Sequence, residues 1–266
     1  MLSFRGTSFE ITYVPEDPAF SAVYNETCKV WRLIVEFVNL SKELGVVKDL
    51  KESGVVGPRY NPNSIIYGRQ LAFYKLMCVS AKVDTLVAQC KAALAADKSV
   101  VIALQSTGEA AQTRTAPSKT GTESFVSAVG LMLTELLGHK TLFECSKYQE
   151  LDNMKEELAA AIDALLPQLP GNPLDIIIDR LGGTRKVAEM TGRGFRMARN
   201  DKNELVLQKR AMVKNDEVVA DSVNIQERAW FQAGRKRVAI ISDAASTGIS
   251  LHAVRTLTVV LVCCAP

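Results

Sequence analysis

The chain has 266 residues, 47% hydrophobic and 23% charged, a size and balance that suit one large or two small domains with a real core and exclude a disordered tail. With 32 basic against 29 acidic residues the net charge is only +3, so any attraction to polyanions must come from local clusters. Six cysteines without a CxxC pair and two histidines argue against a zinc site of ordinary spacing and for free thiols in a reducing compartment. Met1 is not followed by the apolar stretch of a signal peptide, and the longest apolar run, Val259 to Ala265, falls far short of the roughly 20 residues a membrane span needs. A soluble intracellular protein is expected.

Phe9, Ile11 and Tyr13 alternate with Glu10 and Thr12 and predict a short half-buried strand within residues 3–14, ending at Pro15. Apolar residues at helical spacing predict a helix over about 19–44 with Gly45 at its stop, then a loop over 45–64. A second helical region over about 64–96, broken near Ser80, reads as a brace without chemistry. Lys98 to Gln105 predicts a buried strand that opens onto Gln105, Ser106, Thr107 and Gly108. Residues 111–122 read as a mobile connection, followed by helices over about 123–138 and 148–166.

Asn172-Pro173-Leu174-Asp175 is a helix start, with an N-cap, a proline at the first helical position and an acid at the positive end of the dipole; Gly182-Gly183 ends that helix. Val187 to Arg193 forms a short unit closing in Met190-Thr191-Gly192-Arg193, and Phe195 to Arg210 reads as a hairpin turning at Asn200–Asn203. Asn224 to Glu227 resembles a capping box that opens a helix through Trp230 and Phe231 to Gly234. Val238 to Ile241 is a strand apolar on both faces, running into Ser242, Asp243, Ser246, Thr247, Gly248 and Ser250. The order strand, helices, strand, helix, strand predicts an α/β fold with a parallel sheet and right-handed crossovers.

Strand exits are where open α/β sheets bind ligands, and hydroxyls and backbone amides at such exits suit anionic oxygens. Each exit also has a plain structural reading. Thr107 or Ser246 can cap a helix, Thr191-Gly192 can be a turn, Arg193 can be a solvated cation, and Gly248 can supply backbone freedom alone. The basic run Arg235-Lys236-Arg237 reads as a solvated edge, with nonspecific phosphate attraction as the alternative.

Four blocks carry a family resemblance: LSFRGTSFEI (Leu2–Ile11), SVVIALQSTGEA (Ser99–Ala110), LGGTRKVAEMTGR (Leu181–Arg193) and ISDAASTGISLHA (Ile241–Ala253). In this order they resemble the Strawberry notch family of superfamily-2 helicase-like transcriptional regulators. The resemblance implies a strand and helical brace over 1–97 and, over 98–266, a C-terminal RecA-like lobe of P-loop NTPase type. That lobe is expected to carry a helical insertion at about 112–170, shorter than the family's charged one, and to be cut before motif VI. It further implies that Gln105, Ser106 and Thr107 (motif IV), Thr191, Gly192 and Arg193 (the following TG block), and Ser242 and Asp243 (the start of motif V) contact a nucleic-acid strand. Thr247, Gly248 and Ser250 are implied at the nucleotide edge.

The cofactor implied for the complete parent is ATP with magnesium, with none expected to be held by this chain alone. The implied partners are an N-terminal RecA-like lobe, nucleic acid bound without regard to sequence, and chromatin or transcription-regulatory proteins, in the nucleus and with no membrane. His252, Val254 and Asp243 depart from the family's Gln, acid and Glu. No GxxxxGK[ST] P-loop, DExx block or arginine-bearing Gln-x-x-Gly-Arg-Thr-His-Arg block occurs in the chain. An arginine finger contributes on the order of a thousandfold or more to phosphoryl transfer. The chain alone is therefore expected not to hydrolyse ATP at a meaningful rate, and turnover in a steady-state assay of the purified chain would overturn this. A different class of reading also stands: a protein-interaction scaffold that keeps the fold without nucleotide or strand binding.

Overall fold

Local signals start each of the N-terminal helices. Asp17 accepts the Ala19 amide at 2.9 Å and Pro18 opens α1 (Pro18–Glu43), whose Val30, Trp31, Ile34, Phe37 and Val38 form one buried stripe. Asn61 accepts the Asn63 amide at 3.0 Å and Pro62 opens α2 (Pro62–Ala81); after a break at Lys82, α3 follows (Val83–Ala95). The computed structural model describes residues 8, 10–47, 61–104, 125–140, 142–143, 148–210, 212–214, 217–242 and 259–264, with the backbone alone at 212–222 and 259–264. Beyond α3 come β1 (Ser99–Leu104), α4 (Ala128–Leu137), α5 (Gln149–Leu165) with a short 3-10 turn, α6 (Pro173–Arg180) and β2 (Val187–Met190). Two antiparallel hairpins follow, β3 (Phe195–Arg199) with β4 (Leu205–Lys209) and β5 (Met212–Lys214) with β6 (Glu217–Val219); then α7 (Ala220–Gln232), β7 (Val238–Ser242) and β8 (Val259–Cys264).

Four strands form a parallel sheet in the order β2-β7-β1-β8, so the α/β reading with a parallel sheet flanked by helices holds. Alternation along the strands sorts side chains to two faces. Val100, Ile102, Leu104, Val187, Val238 and Ile240 pack on α3 and α6, whereas Val101, Ala188, Met190 and Ala239 pack on Phe231 of α7. A separate helical core joins α1 and α2 to α4 and α5 through Trp31, Phe37, Phe73, Leu133, Leu158 and Ile162.

Three sequence expectations are corrected. Residues 10–17 form no strand, and Ile11 and Tyr13 are exposed; the alternation is real, but no described strand pairs with it. Asn224 caps no helix, because α7 begins at Ala220 and Asn224 lies within its second turn, its amide turned to Thr191 and Arg210. The C-terminal apolar run, read only as too short for a membrane, is the edge strand β8 beside β1. The predicted stop at Gly182-Gly183 holds, with φ of 102° and 74°, and a Cβ on Gly182 would sit 2.9 Å from the Lys186 side chain. Among the described residues no helix is long and apolar enough to cross a membrane.

Candidate nucleic-acid interface

Because β2, β7 and β1 are adjacent and parallel, their C-terminal ends lie along one edge. Leu104 stands level with Ser242, and Met190 with Ile241. The first exit, Gln105, Ser106 and Thr107, and the residues Asp243, Thr247, Gly248, Ser250 and His252 lie outside the described residues. Of the predicted site residues, Thr191, Gly192, Arg193 and Ser242 are described.

Ser242, last in β7, is buried, and among the described residues its Oγ has no hydrogen-bond partner. A buried hydroxyl at a strand exit without a partner is costly unless something there takes it up. Alternation puts it on the same face as Val238 and Ile240.

Beside it, the exit of β2 rests on a carboxylate. Glu189 is level with Ile240 and by alternation shares the α6 face, yet it is 0% exposed. An isolated charge could not remain there. Arg193 donates from Nε to Glu189 Oε1 at 2.6 Å and from Nη2 to Oε2 at 3.3 Å, Thr191 Oγ1 donates to Oε1 at 2.7 Å, and Arg210 Nη1 lies 3.3 Å from Oε1. Arg193 Nη1 also meets Asp175 Oδ1 at 2.6 Å; Asp175 sits in the first turn of α6, whose start Asn172 fixes by accepting the Leu174 amide at 2.9 Å. Burial alone would raise the Glu189 carboxyl, but Arg193, Arg210 and Arg196 outweigh it and hold the group at about 2. The two carboxylates in turn hold Arg193 above its ordinary value against burial.

Arg210 closes the same turn. Its Nη1 donates to Thr191 O at 3.2 Å, Thr191 Oγ1 at 3.1 Å and Arg193 O at 2.8 Å, and its Nη2 to Glu189 O at 2.7 Å and Asn224 Oδ1 at 3.3 Å. Asn224 Nδ2 adds a bond to Thr191 O at 3.1 Å. Carbonyls that leave the sheet ladder after β2 are thus satisfied by one guanidinium and one amide. Thr191 and Arg193 are engaged inside the fold, and Gly192 between them is exposed.

The basic run before β7 has a different use from the one its composition suggests. Lys236 is buried, donating to Glu227 Oε2 at 2.6 Å, Thr184 O at 2.8 Å and Val187 O at 3.2 Å, with Nζ 4.7 Å from the Trp230 ring centroid. Arg237 pairs with Asp97 at 3.0 Å. Both sit at the start of β7, the end opposite the strand exits, so the solvated-edge reading is corrected for Lys236. Sequence reasoning also passed over Glu189 and Arg210, and took Asn224 only for a helix cap. The available signal was the lone acid within Val187–Met190 with arginine four residues on, which strand periodicity alone treats as an interruption.

Residues 172–259 match the family described as the C-terminal domain on Strawberry notch homologue. Protein strawberry notch homolog 2 of Mus musculus is 28% identical over 343 aligned positions that take in 96% of this chain and 24% of the relative. Protein strawberry notch of Drosophila melanogaster is 46% identical over 102 residues, 38% of this chain and 6% of that protein, and the Caenorhabditis elegans homolog is 45% identical over 102 residues, 38% and 5%. The chain thus spans at most about a quarter of the length of these relatives. No solved structure gives a significant match. With its parallel sheet and these likenesses along its length, the chain resembles the Strawberry notch proteins, and residues 172–259 match that family's C-terminal domain.

Proposed function

We propose that the C-terminal edge of the sheet holds the phosphate backbone of a nucleic-acid strand without reading its sequence, and forms one wall of an ATP cleft completed by the N-terminal RecA-like lobe of a longer protein. The observation that carries this reading is the parallel register that ends β1, β7 and β2 on one edge. Phosphate oxygens are satisfied by amides, hydroxyls and helix N-termini, and such contacts fix a strand in place while leaving its bases unread.

In this reading Gln105, Ser106, Thr107, Gly192, Ser242 and Asp243 make the strand contacts, with Thr191 and Arg193 setting the shape of the β2 exit from within. Thr247, Gly248 and Ser250 face the nucleotide. The unpartnered Ser242 hydroxyl suits a phosphate oxygen of the strand. ATP would supply the free energy of phosphoryl transfer in the parent protein. Magnesium would accompany ATP in the complete parent protein. The family supports a role in regulating DNA-templated transcription in the nucleus, together with chromatin or regulatory proteins.

One observation favours the scaffold reading: the side chains of Thr191 and Arg193 are spent on internal bonds. Oligonucleotide binding followed by fluorescence anisotropy separates the two. A single strand of mixed sequence and one of thymidines alone should bind about equally, with log K falling against log salt at about −0.7 per phosphate contacted. Absent binding, or binding indifferent to salt, selects the scaffold.

A further inference from the structure

Among the described residues the charges around Glu189 do not balance. Among the described residues Arg193, Arg196 and Arg210 face Glu189 and Asp175, and the neighbouring Lys236–Glu227 pair is neutral by itself, which leaves one positive charge in surplus. Arg193 has two close carboxylates and Arg210 has five hydrogen bonds to oxygen. Arg196 has neither. Its Nη1 stands 3.5 Å from Glu189 Oε2, too long for a good bond, and its Nε is buried without a partner. Arg196 is also the member of the group that reaches solvent, with 16% of its side chain exposed against 1% for Arg193 and 3% for Arg210.

A guanidinium that is mostly desolvated, short of hydrogen-bond acceptors and open on one side is the arrangement that takes up an oxyanion, because the fork geometry fits two oxygens at once. We propose that Arg196, at the start of β3, is the residue that receives a phosphate group at the exit of β2. An incoming singly charged phosphate, such as a diester, would cancel the surplus charge and supply acceptors to Arg196. The site itself rests on the charge count and geometry; only the choice of a nucleic-acid strand as the source of the phosphate rests on the proposed function. A phosphate of a free nucleotide offers the same chemistry.

The test uses the full chain with inorganic phosphate as the probe, against chloride at matched ionic strength, and reads thermal unfolding. Wild type should gain roughly 2–4 °C in Tm at phosphate well above its Kd. Arg196→Met should lose that gain while melting in chloride no lower than wild type, since it removes an unbalanced charge, and Arg196→Lys should keep part of the gain. Equal phosphate gains in wild type and R196M, no gain in wild type, or an R196M protein that melts well below wild type in chloride would each overturn the proposal.

Two further arms identify the source. If R196M also weakens single-strand binding and reduces its salt slope by about one contact, the phosphate is that of the strand. If strand binding is unchanged while the Tm gain from ATP is lost, the oxyanion site stands, a nucleotide is its source, and the nucleic-acid reading of this exit fails.

Discussion

Glu189→Gln should destabilise the fold by about 3–5 kcal/mol, read as a lower urea midpoint with an unchanged slope. Glutamine keeps the shape of the side chain but removes the charge on which Arg193, Arg210 and Arg196 converge. Among the described residues Asp175, which meets Arg193, would then be the one carboxylate left beside three guanidiniums, and the uncompensated buried charge, rather than the lost attraction, makes up most of the cost. The same carboxylate sets an acid limit. Its folded value of about 2 lies below the ordinary 4.5, so its contribution is fully present above about pH 4.5 and is lost as pH falls through about 2. Wild type should therefore lose stability over that window, and E189Q should lose less of it. An E189Q protein with the wild-type midpoint at neutral pH would show that the network contributes nothing net to the fold.

Phe73→Ala should cost a similar amount, about 3–5 kcal/mol, through a cavity in the helical core. Phe73 is 0% exposed and meets the Trp31 ring edge-on at a centroid distance of 5.5 Å. The informative readout is where hydrogen exchange quickens. Since α1 and α2 share one cluster with α4 and α5, protection should fall across 128–137 and 149–165 as well as across 18–43 and 62–81. Loss confined to α1 and α2 would mean that the two helix pairs are held separately.

The edge at which these strands end was legible because buried parallel strands are written as unbroken apolar runs, here Val100–Leu104 and Val238–Ile241. The helix start at Asn172 was equally local; Asp17 and Asn61 likewise bond an amide two residues on, but apolar periodicity alone had put their helices at about 19 and 64. Arg193 shows where local reading stops. As a sequence it is an arginine after Thr-Gly beside a strand end, which suits a phosphate. In the fold it is held between Asp175, eighteen positions earlier on α6, and Glu189. Arg196, three residues on, carries no motif to distinguish it, and only its lack of close partners sets it apart.

By itself, then, the order of residues determined most of the element types, the parallel sheet and the family resemblance, since these depend on periodicity, caps and short blocks spanning a few residues each. The tertiary structure decided which cation is spent inside and which is left open, how α1 and α2 join α4 and α5 across β1, and that the C-terminal run completes the sheet. The physical reason is common to all three. A charge balance, a shared core and a strand pairing are sums over groups far apart along the chain, and no window of neighbouring residues contains them.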